Sequence, residues 1–275
     1  MYSGQMNEGT IFPATDFNPG VDAEVLASAL QGMECNKDDL IEILTQRSNA
    51  QRLIIAQIYN DSYGQDLVTD LKEKLSNHFQ EVIVGLMYPL AFFDAYQLRN
   101  AMKGIGTDEN CLIEILASRT NDEINAINEV YLMQFDVPIQ FDVESETSGH
   151  FRDALVILTQ GAREEGYEYE DQEMATQDAT FFNNSNSYLT KILNKQSPSA
   201  VKEIFRNYLL QLDLGFHNKT IIRILISRSE LDLMNIKRNY KERYGNSLNQ
   251  DIRQNASGHY EAALLAISTG DAEDY

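Results

Sequence analysis

The chain repeats itself, and this constrains its fold more than any other feature, because copies of one unit bury their apolar faces by stacking on each other. Leu40-Ile41-Glu42-Ile43-Leu44 returns unchanged 72 residues later as Leu112-Ile113-Glu114-Ile115-Leu116. At the same shift Arg47 meets Arg119, Tyr59 meets Tyr131, and His78-Phe79 meets His150-Phe151. A further 109 residues carries Arg119 to Arg228, Tyr131 to Tyr240, and Ser148-Gly149-His150 to Ser257-Gly258-His259. Between these lies a damaged copy. A shift of 77 from the second copy aligns Leu189, Ile192 and Leu193 with Leu112, Ile115 and Leu116, and Tyr208 with Tyr131. From that copy to the last the shift is only 32, so roughly 40 residues of a full unit are missing near Leu210 to Phe216. The loss corresponds to the back half of a third repeat and the opening helix of a fourth.

Each copy reads as helical. Apolar residues recur at three and four positions and no long strict alternation occurs. Ser48 with Gln51, and Thr120 with Glu123, fit the capping box, in which two side chains satisfy two orphan backbone donors. Ser229 with Asp232 is a looser version. In the damaged copy Ser197-Pro198 holds the cap position, with proline at the first helical residue, where it is tolerated. Tyr59, Tyr131 and Tyr240 are expected to close the helix after each cap.

Composition narrows the function. The net charge of −20 disfavours nucleic acid or bare anionic membrane as a direct partner, although a divalent cation could bridge an acidic protein to such a surface. Hydrophobic residues make up 43% and only five prolines occur, which fits a globular chain. No apolar run is long enough to span a bilayer, and the N-terminal stretch lacks the basic start and apolar core of a secretory signal. Cys35 and Cys111 give no disulfide framework and suit a reducing compartment, so the glycosylation-like triplets at Asn183, Asn218 and Asn255 read as chance matches. No nucleophile elbow or phosphate-binding glycine loop is present, and an enzyme is not expected. His78, His150 and His259 share one repeat position and read as packing or capping residues. His217 reads as exposed, Cys111 as a structural thiol, and Arg47, Arg119 and Arg228 as partners of carboxylates or helix ends.

Two motifs are more specific. The stretch Ala101-Met102-Lys103-Gly104-Ile105-Gly106-Thr107-Asp108-Glu109, followed later by Glu146-Thr147-Ser148-Gly149, resembles the annexin family, and the resemblance runs from about Val21 to the end apart from the gap. It implies an all-α array of five-helix repeats forming a curved disc, two complete and two truncated. On this reading residues 1–20 are an N-terminal arm, 21–90 repeat one, 91–164 repeat two, 165–212 a truncated repeat three and 213–275 a truncated repeat four. The resemblance also implies a cytoplasmic protein, with the nucleus open to it, that meets acidic phospholipid membranes peripherally in a calcium-dependent way.

Calcium is the cofactor so implied, with the carbonyls of Met102, Gly104 and Gly106 and the carboxylate of Glu146 as its ligands. The chemistry is sound, because calcium takes six to eight oxygens at flexible geometry and the end of a helix leaves carbonyls without partners. Glycine permits the tight turn that presents them. Glu146 stands 39 residues after Thr107, at the spacing the family pattern requires. In repeat one the turn reads Leu30-Gln31-Gly32-Met33-Glu34-Cys35, and the acid position holds Lys74, whose ammonium cannot ligate a cation. In repeat four Gly215 remains, but Phe216 replaces the threonine and Asn255 the acid. Repeat three lacks both parts. One site therefore leaves a calcium-dependent phospholipid-binding protein of reduced capacity. The alternative is a calcium-independent scaffold that acts through protein partners, using its N-terminal arm and acidic surface.

Overall fold

The computed structural model describes residues 8–163 and 217–269, which form fourteen α-helices and no strand. The first five are α1 (Pro19–Leu30), α2 (Lys37–Leu44), α3 (Asn49–Tyr63), α4 (Leu67–Lys74) and α5 (Asn77–Leu86). The next five, 72 residues on, are α6 (Leu90–Met102), α7 (Glu109–Ser118), α8 (Asn121–Phe135), α9 (Ile139–Glu146) and α10 (Gly149–Thr159). The last four are α11 (Asn218–Arg228), α12 (Leu233–Tyr244), α13 (Leu248–Asn255) and α14 (Gly258–Ser268). The segment read as truncated repeat three, with its Ser197-Pro198 cap, lies outside the described residues, as do Gly215 and Phe216.

The chain divides into two compact bodies, Met1–Leu90 with Gly215–Tyr275, and Ala91–Leu214. In the first, α5 packs on α11 and α14, and α2 on α14. Leu40, Leu44, Ile83 and Leu86 share its interior with Leu225, Leu264 and Ile267. The second body has its own core, with Leu98, Leu112, Ile115, Leu116, Ile124, Tyr131, Val143 and Leu155 all within it.

Local chemistry sets the helix ends. Both expected capping boxes form, at Ser48 with Gln51 and at Thr120 with Glu123. The expected cap at Ser229 does not. There α12 starts only at Leu233, and Asp232 is held by Arg228 at 2.6 Å instead of capping. Ser229 ends α11 in helical conformation and donates its hydroxyl to the Ile226 carbonyl at 3.3 Å, and the N-terminal arm packs against it. Thr10 and Ile11 donate their backbone N–H groups to the Ser229 carbonyl, and the Thr10 hydroxyl donates to the Ile267 carbonyl at 2.6 Å. Gly9 lies so close that a Cβ would sit 2.7 Å from the Glu230 carbonyl carbon, and no side chain fits there. Farther along, Ala14 exchanges two hydrogen bonds with the Gln51 side chain on α3. The described part of the arm is thus packed on the chain's own helices, and α1 begins at Pro19, within the stretch read as arm.

The three tyrosines do not close their helices. Each sits about a turn before the end and donates its hydroxyl to an acid 11 residues on: Tyr59 to Asp70 at 2.7 Å, Tyr131 to Asp142, and Tyr240 to Asp251 at 2.5 Å. The arginines do hold carboxylates. Arg47 forks onto Asp22 of α1, and Arg119 forks onto Asp94 of α6. Arg228 uses Asp232, four residues away, where the other two arginines reach an opening helix.

Candidate metal centre

The loop between α6 and α7 is built by glycine. Gly104 and Gly106 adopt φ of +107° and +88°, in the left-handed region where a side chain costs strain. Nothing lies within 4 Å of where their Cβ atoms would be, so backbone conformation rather than crowding requires glycine at both. The Asp108 N–H donates to the Ala101 carbonyl at 2.9 Å and closes the loop. Asp108 then caps α7 by accepting from the Cys111 N–H at 3.1 Å. Ile105, at the tip, is fully exposed. The Met102 side chain is buried and anchors the end of α6 in the core.

Glu146 ends α9 and is exposed. The Thr107 hydroxyl donates to the Glu146 backbone carbonyl at 3.1 Å, and this bond ties the loop to the end of α9. The Glu146 carboxylate has no hydrogen-bond or ion-pair partner among the described residues. The result is a turn at the carbonyl end of a helix with an uncommitted carboxylate-bearing residue tied beside it. Such a donor set suits a hard cation that prefers oxygen. No group of three or more His, Cys, Asp or Glu side chains that could hold a metal occurs among the described residues, so backbone oxygens would have to supply most of any coordination sphere.

The corresponding loop of the first five helices keeps the frame and changes the chemistry. Gly32 has φ of +95°, and the Asn36 N–H donates to the Ala29 carbonyl at 2.9 Å, the counterpart of the Asp108 bond. Glu34, at the Gly106 position, is not left-handed. The Lys74 ammonium donates to the Gly32 carbonyl at 2.9 Å. A cation is therefore already present on this loop. At the last repeat, Asn255 turns its amide onto the Asp251 carbonyl at 2.8 Å.

The remaining polar residues have structural partners. His78 faces Glu81 at 3.0 Å and packs its ring on Tyr260, while His259 packs on Phe79 and lies 3.5 Å from Asp38. These reciprocal contacts join α5 to α14. The side chain of His150 lies outside the described residues. His217 is exposed at the start of α11, as expected. Cys111 is buried against the Gln97 carbonyl. Buried cations that sequence reasoning did not single out cap converging helix ends, where the helix dipole is negative. Arg52 donates to the Leu44 and Leu86 carbonyls, Arg163 to those of Ala117 and Arg119, and Lys237 to that of Ser268. No helix of the described residues is long and apolar enough to cross a membrane.

Comparison with known proteins points one way. A family model described as Annexin matches residues 21–86, 93–158 and 209–267. The chain is 48% identical to annexin A10 of Homo sapiens, with all of both chains covered. That alignment spans 326 residues, more than the 275 of this chain, so part of the relative has no counterpart here. The solved structure of annexin III is similar at a TM-score of 0.82 and 36% identity, over 96% of this chain and 98% of that one. A calcium-bound structure of annexin (Sm)1 is similar at a TM-score of 0.77 and 26% identity, over 99% of this chain and 95% of that one.

Proposed function

Because the chain belongs to the annexin family, whose members are generally non-enzymatic, calcium-dependent phospholipid-binding proteins, we propose that it docks on acidic phospholipid through one calcium ion held by its second repeat. Met102, Gly104 and Gly106 would supply backbone carbonyls and Glu146 a carboxylate, with water and a lipid phosphoryl oxygen filling the remaining positions. One observation carries this reading. The Thr107 hydroxyl links a turn with two left-handed glycines to Glu146, 39 residues away, whose carboxylate is uncommitted.

Capacity is reduced on this reading. Several weak sites on one surface strengthen each other through effective concentration, and a single site gains nothing of the kind. A net charge of −20 also opposes approach to an anionic surface until calcium is bound. Membrane binding through this calcium site should therefore be weak and need high calcium, and the protein should otherwise remain in the cytoplasm or nucleus. The test is calcium titration calorimetry of the full chain with and without phosphatidylserine vesicles. About one ion per chain is expected, bound more tightly with vesicles and lost in Glu146→Gln. Absence of heat in both conditions, from a chain shown by circular dichroism to be helical, would overturn the proposal.

A further inference from the structure

We propose that the first-repeat loop, 31–36, carries Lys74 as a built-in cation and uses it to meet the phosphate of an anionic phospholipid headgroup without calcium. The inference rests on the reading that lipid is the surface these loops serve. It starts from register. At the shift of 72, Gly32 matches Gly104, Met33 matches Ile105, Asn36 matches Asp108, and Lys74 matches Glu146. The two loops share the left-handed first glycine and the same closing backbone bond, 2.9 Å in each. What differs is the charge beside the carbonyls. In the second repeat a carboxylate is present and a cation must be supplied. In the first, the Lys74 ammonium itself contacts the Gly32 carbonyl at 2.9 Å.

A bound calcium in such a loop would link protein carbonyls to lipid phosphate. An ammonium has three donors and can make the same link with hydrogen bonds. Lys74 is exposed, and its bond to Gly32 uses one donor. Lys37 reinforces the positive field: burial pushes the Cys35 thiol pKa up, while Lys37 and Lys74 both pull it down, which places both cations near the loop. Glu34, on the loop itself, and Asp38 and Asp39, in the first turn of α2, oppose them and keep the contact weak. Met33, fully exposed at the tip, supplies an apolar group suited to the headgroup boundary, as Ile105 does in the second loop.

The test is co-sedimentation of the full chain with phosphatidylserine-containing and phosphatidylcholine-only vesicles, in a calcium chelator and in calcium, at low salt. Lys74→Gln, Lys74→Arg and Glu146→Gln are compared with the unaltered chain. In chelator, the unaltered chain and Glu146→Gln should bind phosphatidylserine vesicles equally. Lys74→Gln should bind about fivefold less, the change that corresponds to ~1 kcal/mol for one lysine near an anionic surface. Lys74→Arg should keep most of the binding, which separates lost charge from a disturbed loop. The calcium-dependent increment should survive in Lys74→Gln and vanish in Glu146→Gln, so the failure of either site is read separately. Equal binding by Lys74→Gln and the unaltered chain in chelator would overturn the proposal, and so would equal binding to phosphatidylcholine-only vesicles. Competition by inorganic phosphate as strong as that by phosphatidylserine vesicles would also overturn it, since the site would then take free phosphate rather than a lipid surface.

Discussion

In the second repeat the loop after α6 turns through two left-handed glycines and leaves the Glu146 carboxylate uncommitted, whereas the loop after α1 keeps one such glycine and gives its carbonyl to Lys74. The backbone frame is common, down to the bond that closes it. The side chain at the end of the fourth helix of each repeat sets the charge beside that frame, Lys74 in one and Glu146 in the other. One fold thus carries two electrostatic arrangements on the same loop frame.

The same two repeats differ in how deeply they bury a shared ion pair, and the largest expected effect tests that difference. Arg119 and Asp94 are 4% and 5% exposed, against 21% and 8% for Arg47 and Asp22. Burial alone would lower the Arg119 pKa, but Asp94 outweighs it and the guanidinium is held above its ordinary value. Arg119→Ala leaves the Asp94 carboxylate buried without its partner and should cost about 3–5 kcal/mol. Arg47 itself is partly exposed, so Arg47→Ala opens Asp22 to water and should cost about 1–2 kcal/mol. Urea unfolding followed by far-UV circular dichroism measures both, and equal losses would break the comparison.

Much of this was legible in the sequence because it is local or periodic. The shift of 72 set out two matching helical copies, the family resemblance implied five helices in each, and the cap at Thr120 followed from residue types three apart. The family resemblance pointed to the glycine turn and to Glu146, 39 residues after Thr107, whereas the bond from the Thr107 hydroxyl to the Glu146 carbonyl appears only in the structure. What failed was long-range. The cap expected at Ser229 does not form, and its carbonyl instead accepts from Thr10 and Ile11, more than two hundred residues away, a contact that no local pattern reveals. Lys74 was visible as a residue hostile to calcium, yet its bond to Gly32 depends on how α4 approaches the loop. Arg52 and Arg163 both reach the carbonyl of the shared arginine, Arg47 or Arg119, from different positions in their repeats, so register did not reveal them, whereas Lys237 holds Ser268 as Asn128 holds Thr159. The Tyr–Asp spacing of 11 did recur in three copies and was a usable signal.

Exchanging the chemistry of the loops sharpens the comparison next. Lys74→Glu alone restores the acid, but residue 34 still lacks the left-handed glycine, so calorimetry should continue to give about one calcium per chain. Adding Glu34→Gly and Cys35→Thr completes the pattern of the second loop and should raise the count to about two. A count that stays at one in the triple variant would show that the frames are not interchangeable.

Alkaline pH tests a feature that the repeats share, their buried tyrosines. Burial first, and then the bond to Asp70, raise the Tyr59 pKa above its ordinary value; Tyr131 is raised by burial and Asp142, while Arg99 pulls it down. A raised folded-state pKa means that the folded chain holds the proton more tightly. That stability is complete below about pH 10, tyrosine's ordinary value, and is lost as pH rises beyond it. Arg52 acts in the opposite sense, since burial lowers its pKa to about 10 and the cost of its charge is relieved as pH rises past that value. Stability should nevertheless fall above pH 10, because tyrosines in three repeats share the first behaviour. Tyr59→Phe and Tyr131→Phe should each flatten this decline, in unfolding curves taken at a series of pH values, and an unchanged decline in both would break the expectation.

The smallest effect concerns the tie between the loop and α9. Thr107→Val keeps the shape of the side chain and removes the hydroxyl that donates to the Glu146 carbonyl. The bond is exposed, so its net worth is about 0.5–1 kcal/mol and global stability should barely change. Calcium affinity is the more sensitive readout. If the tie holds the carboxylate-bearing residue beside the carbonyl turn, its loss should weaken calcium binding about two- to fivefold, within that same energy. Cys35 at the matching position has no such role, because Lys74 already bridges its loop, and Cys35→Val should leave calcium binding unchanged. Equal affinity in Thr107→Val and the unaltered chain would mean that the glycine turn and the end of α9 keep their positions without the tie.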